Sequence, residues 1–194
     1  IMEAGGIIQS SEEAVMGIGF LDIADYSFIS QFLSPHENQD VLNGLYTAFN
    51  AVLKRHGGYL NKIEGDSVMF HYGGPTDPRV PRDEEAAKRY IAKELFYTCV
   101  ELQRVSERFN KADESFFSKG ESRENRKMLE KAFDIISRMR SDPVVASAFK
   151  ALIQIRVRIG ANIGKVTVGN FGPDGAKQWD IVGVPVILAK RMEA

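Results

Sequence analysis

The chain has 194 residues, 44% of them apolar and 26% charged, enough to bury one sizeable core and too few for two independent ones. Twenty-five basic residues against 26 acidic ones leave a formal charge of −1, so no global field draws the protein to nucleic acid or to an anionic bilayer. No run approaches the ~20 apolar residues that span a bilayer, and no basic-then-apolar signal opens the chain. A cytoplasmic domain is expected, free or as the intracellular part of a larger anchored protein, and the single Cys99 suits a reducing compartment.

Residues 1–14, with Gly5-Gly6 and Ser10-Ser11, read as a lead-in segment. Val15 to Ile23 is apolar apart from its glycines and ends Phe20-Leu21-Asp22-Ile23, the pattern of a buried strand with an acid at its mouth. Ser34-Pro35-His36-Glu37 is a capping box with proline at the first helical position; Val41, Leu42, Leu45, Phe49, Val52 and Leu53 follow at helical spacing until Gly57-Gly58. Tyr59 to Ile63 and Ser67 to Tyr72, joined by Glu64-Gly65-Asp66, form a β-hairpin with Asp66 at its tip. Asp83 opens a long helix.

From about residue 110 to 150 the chain becomes a charged helical insertion, and the nearly all-polar Lys119 to Lys127 reads as a mobile loop within it. Ile153 to Ile163 alternates as a strand with one solvated face, Gly164-Lys165 makes a turn, and Val166 to Gly169 forms a second strand. After another turn at Gly172-Pro173-Asp174-Gly175, Gln178 to Val182 gives a third, and Pro185 to Met192 a helix. This order predicts an α+β fold, a ferredoxin-like split βαββαβ antiparallel sheet with helices on one face.

Asp22 and Asp66 stand out because each ends or turns an apolar strand. With the first strand between the two hairpin strands, both carboxylates would reach one end of the sheet, where two hard oxygen donors suit Mg²⁺. Position alone leaves the alternatives open, with Asp22 as a helix cap and Asp66 as an ordinary turn acid. His36, His56 and His71 lack metal-ligand spacing and read as surface or helix-end residues.

Three blocks in order, Phe20-Leu21-Asp22-Ile23-Ala24-Asp25-Tyr26-Ser27, Asn61-Lys62-Ile63-Glu64-Gly65-Asp66 and Gln178-Trp179-Asp180-Ile181-Val182-Gly183 running on to Ala189-Lys190-Arg191-Met192-Glu193, resemble the signatures of class III adenylate/guanylate cyclases. The resemblance covers residues 15–194 apart from the insertion. It implies conversion of ATP to cyclic AMP and pyrophosphate by in-line attack of the ribose 3′-hydroxyl on the α-phosphorus. Two Mg²⁺ or Mn²⁺ ions would be held by Asp22, Asp66 and the Ile23 carbonyl. Backbone N–H groups of the Ala24 to Ser27 turn, Tyr26 and Ser27 among them, would meet the phosphates. Lys62 and Asp180 would select adenine, the ammonium donating to N1 and the carboxylate accepting from the N6 amine. Arg191 would meet phosphoryl charge in the transition state.

The resemblance also implies a homodimer whose sites take the metal aspartates from one copy and Lys62, Asp180 and Arg191 from the other. Four positions before Arg191, where active members carry asparagine, stands Ile187, so a domain that binds nucleotide and dimerises without efficient turnover is the alternative. Gly183-Val184-Pro185 departs from the usual pattern as well, and a further triphosphate-gripping lysine would belong beyond residue 194. A palm-type diguanylate cyclase would need a Gly-Gly-Asp/Glu-Glu-Phe loop, and Glu64-Gly65-Asp66 offers one glycine.

Overall fold

The structure, a computed structural model, describes residues 11–75, 77–149 and 153–194. Strand β1 (Glu12–Ile23) leads into a short helix α1 (Tyr26–Ile29), a 3₁₀ turn and helix α2 (Pro35–His56). The hairpin β2 (Tyr59–Glu64) and β3 (Ser67–Gly73) precedes helix α3 (Glu84–Asn110) and the insertion helices α4 (Arg123–Ser141) and α5 (Pro143–Phe149). Strands β4 (Val157–Phe171) and β5 (Gln178–Val182) and helix α6 (Val184–Glu193) complete the order. Local signals in the sequence explain the helix starts. The Ser34 hydroxyl accepts from the Glu37 N–H at 3.3 Å, while the Glu37 carboxylate accepts from the Ser34 N–H at 2.8 Å, so two N–H groups that the helix leaves unpaired are satisfied. Asp83 caps α3 through the Ala86 N–H at 2.8 Å.

The five strands pair antiparallel in the order β2-β3-β1-β4-β5. This corrects one expectation: β1 lies between β3 and β4, not between the hairpin strands. It still brings Asp22 opposite Ser67, beside the hairpin tip. β1 also starts earlier than Val15, because Glu12, Glu13 and Ala14 already pair with Val168, Thr167 and Val166. The expected turn at Gly164-Lys165 is absent. Those residues face Met16 and Val15 inside one continuous strand, and Gly164 serves close packing instead, since a side chain there would strike the Pro185 ring. Ile153 and Ile155 are buried but lie ahead of the strand, which begins at Val157.

Alternation along β1 separates two apolar layers. Leu21 and Ile23 join α2, α3 and α4 in the main core, built around Leu45, Phe49, Val52, Ile91 and Leu102. Met16 and Ile18 face the other way, against Met69, Val166, Val168, Ile181 and Ala189. Helices therefore cover both faces and not one, as the sequence had suggested: α6 lies on the second, seated over Gly160, where any side chain would collide with the backbone of Ala189 and Glu193.

The insertion is ordered packing. Ser122 caps α4, accepting from the Asn125 N–H at 3.1 Å, so Arg123 to Lys127 form its first turns in place of the expected mobile loop. Leu129, Ala132, Phe133, Ile136 and Met139 then bury one face, with Ala132 set against Gly44 of α2.

Candidate active site

The first cluster forms where β1 ends. Asp22 stands directly opposite Ser67 on β3 and Arg158 on β4. The following Ile23 N–H donates to the Asp66 carbonyl at 3.3 Å, which ties the strand end to the hairpin tip. Asp22, Ile23 and Asp66 thus share one end of the sheet, as the sequence led us to expect. The Asp22 carboxylate accepts from the Arg158 guanidinium, and this pairing holds the guanidinium more firmly protonated. Arg158 was visible in the sequence only as a solvated strand position; its pairing depends on the β1–β4 register. Behind it sits Glu193, 5% exposed, with its carboxylate 2.7 Å from the Lys190 ammonium and 3.9 Å from the Arg158 Nε.

The turn after β1 is tight. Asp25 adopts a left-handed conformation at φ 58°, and its carbonyl accepts from Phe28 and Ile29, so the N–H groups of Tyr26 and Ser27 are those a helix start leaves for an outside acceptor. The Tyr26 side chain itself is buried and donates to the Asn38 Oδ1 at 2.7 Å; burial first, then the neighbouring Tyr46 and Asp66, push its phenol up. Only its backbone can meet a ligand. Ser27 is exposed.

The second cluster joins the two sheet edges. Lys62 on β2 and Asp180 on β5 are separated by three strands in the sheet order, yet the Lys62 ammonium donates to both Asp180 oxygens, at 2.9 and 3.2 Å. The sheet therefore curls until its edges meet. A ring contact from His71 on β3 to Trp179 on β5, with centroids 5.4 Å apart, marks the same closure. His71 is 2% exposed, which corrects the surface assignment: β3 is buried on both faces, so the alternate positions of this strand face apolar layers and not water.

Arg191 lies exposed in the last turn of α6, and among the described residues it forms no ion pair. Ile187, one turn earlier and 53% exposed, stands with Val184, Leu188 and Met192 as an uncovered apolar set on α6. The structure thus brings Asp22, Ile23 and Asp66 together, joins Lys62 to Asp180, and leaves Arg191 apart from both clusters. Among the described residues no group of three or more His, Cys, Asp or Glu side chains gathers as a metal cage. Two carboxylates with a backbone carbonyl nevertheless suit Mg²⁺, which keeps waters and takes substrate phosphates for the remaining positions. No helix among the described residues is long and apolar enough to cross a membrane.

Among solved structures, the guanylyl cyclase Cya2 superposes with a TM-score of 0.65 at 22% identity, covering 95% of this chain and 72% of that one. The adenylyl cyclase CyaB from P. aeruginosa gives 0.64 at 21% identity, covering 95% and 73%. Both likenesses are of fold. The soluble guanylate cyclase gcy-33 of Caenorhabditis elegans is 29% identical over 102 residues, 53% of this chain and 10% of that protein. An uncharacterised protein of Mycobacterium tuberculosis is 35% identical over 71 residues, 37% of this chain and 19% of that protein. The chain thus spans less than a fifth of these curated relatives. The family model for the adenylate and guanylate cyclase catalytic domain matches residues 8–194, the whole curled sheet with both its clusters, and the chain belongs to that family.

Proposed function

We propose that this domain converts ATP into cyclic AMP and pyrophosphate at a site shared between two copies of the chain. The observation that carries the choice of base is the Lys62–Asp180 pair, a donor and an acceptor held within 2.9 Å of each other. Adenine offers the complement, an acceptor at N1 and a donor at N6, and can take over both partners without leaving either unpaired. Guanine presents the reverse pattern and would set donor against donor and acceptor against acceptor.

Asp22, Asp66 and the Ile23 carbonyl would hold two Mg²⁺ or Mn²⁺ ions. Bound there, the ions would supply activation of the ribose hydroxyl and charge compensation on the triphosphate. The chain's own groups do the rest. Arg158, now on Asp22, can turn to phosphoryl oxygens while Glu193 braces its other side. The Tyr26 and Ser27 N–H groups offer donors at a helix start. Arg191 and the uncovered apolar set on α6 suit contact with a second copy, where Arg191 would meet charge developing in the partner's site. Cyclic AMP formation by the full-length protein, with Mg²⁺ or Mn²⁺ and ATP against GTP, tests this reading. Equal use of GTP refutes the roles given to Lys62 and Asp180.

Ile187 favours a second reading, a domain that binds nucleotide and dimerises with slow turnover. A side chain without a donor stands where a polar group would orient the ribose, and losing such a group costs roughly 100-fold in rate. Ile187→Asn should raise turnover by that order. Nucleotide binding without product from either protein would establish the second reading.

A further inference from the structure

We infer that Tyr46 is a positioning residue for Asp66, holding the hairpin tip from helix α2 through the carbonyl of Gly65. The inference rests on the proposed metal role of Asp66. The turn between β2 and β3 has only two residues, Gly65 and Asp66, because Glu64 pairs directly with Ser67. Gly65 takes φ 61°, and a Cβ built on it would meet nothing within 4 Å, so no packing fixes the tip at that point. Among the described residues no side chain bonds the Asp66 carboxylate. Its placement therefore depends on the backbone, which two hydrogen bonds hold: the Ile23 N–H to the Asp66 carbonyl at 3.3 Å, and the Tyr46 hydroxyl to the Gly65 carbonyl.

The Tyr46 ring is itself only half-buried. It packs against the main core and also lines a cavity of about 250 Å³ with Asn50, Lys54, Leu60, Glu121 and Asn125. Strand β1 positions Asp22 and, through the Ile23 N–H, holds one side of the hairpin tip, while Tyr46 of α2 adds the second hold at the Gly65 carbonyl.

Tyr46→Phe removes the donor and keeps the ring. Two measurements on the purified protein test it: amide hydrogen exchange at the hairpin tip, and Mn²⁺ binding followed by electron paramagnetic resonance without nucleotide. Exchange at Ile23, whose N–H donates to the tip, and at Ser67 should rise and Mn²⁺ should bind about five- to tenfold more weakly, with the circular dichroism spectrum unchanged. Unaltered exchange at the tip overturns the positioning role whatever the metal does. Faster exchange with wild-type Mn²⁺ affinity, while Asp66→Asn abolishes binding, overturns the link to the metal alone. Asp66→Asn that binds Mn²⁺ as wild type does overturns the metal reading of Asp66, and this inference with it.

Discussion

Lowering the pH from 7 to 5 should destabilise the protein through His71. The imidazole stacks on the Tyr59 ring and meets the Trp179 ring at a tilt, and among the described residues neither of its nitrogens has a hydrogen-bond partner. Burial pulls its pKa down from 6.5 to about 4, with Asp77 opposing weakly. Between those values the unfolded chain takes up a proton that the folded state refuses, so stability is full above pH 6.5 and falls as the pH drops toward 4. At pH 5 the unfolded imidazole is almost fully charged and the folded one about a tenth charged, which works out at roughly 2 kcal/mol. In urea unfolding that is about 1 M in midpoint for a slope of ~2 kcal/mol/M. The measurement is taken as a difference, so that contributions common to both proteins cancel. Wild type should lose roughly 2 kcal/mol more than His71→Leu between pH 7 and pH 5. Equal losses in the two proteins would refute the reasoning.

Three other substitutions probe the frame around the site. Gly160→Ala places a methyl group against the backbone of Ala189 and Glu193 and should cost about 1–3 kcal/mol in urea unfolding, as α6 lifts from the sheet. Ser34→Ala removes one half of the α2 capping box, and a loss of about 1 kcal/mol by the same measurement is expected. Arg158→Ala frees Asp22 from its guanidinium partner. It should tighten Mn²⁺ binding in the absence of nucleotide and weaken binding of a non-hydrolysable ATP analogue, both read by calorimetry; the same direction for both ligands would contradict the role drawn for Arg158.

What could be read from the sequence divides by the range of the interactions involved. The α2 capping box, the hairpin with Asp66 at its tip and the cap of α3 depend on residues within a few positions of one another, and all three stand as expected. Gly164-Lys165 misled because a glycine placed for a neighbouring helix resembles one placed for a turn, and Pro185, the residue that explains it, is distant in sequence. His71 misled because β3 is buried on both sides, leaving no polar alternation to read. The approach of Asp22 to Asp66 was anticipated, though through a different strand order. The pairing of Asp22 with Arg158 and the anchoring of Gly65 by Tyr46 follow from register and helix placement, which no local pattern encodes.

The curl that joins Lys62 to Asp180 has a consequence for how the domain is assembled. That pair closes across 118 positions of sequence, and the Asp22–Arg158 pair across 136. Contacts of such separation form only after most of the loop-closure entropy has been spent, so they belong to the last stage of folding. Hairpin β2–β3 and helices α2 and α3 can form from local contacts, but Asp22 lacks its Arg158 partner and Lys62 its Asp180 partner until β4 and β5 have docked. Nucleotide would therefore bind only completely folded chains, and its presence should slow global unfolding while leaving the early folding rate unchanged.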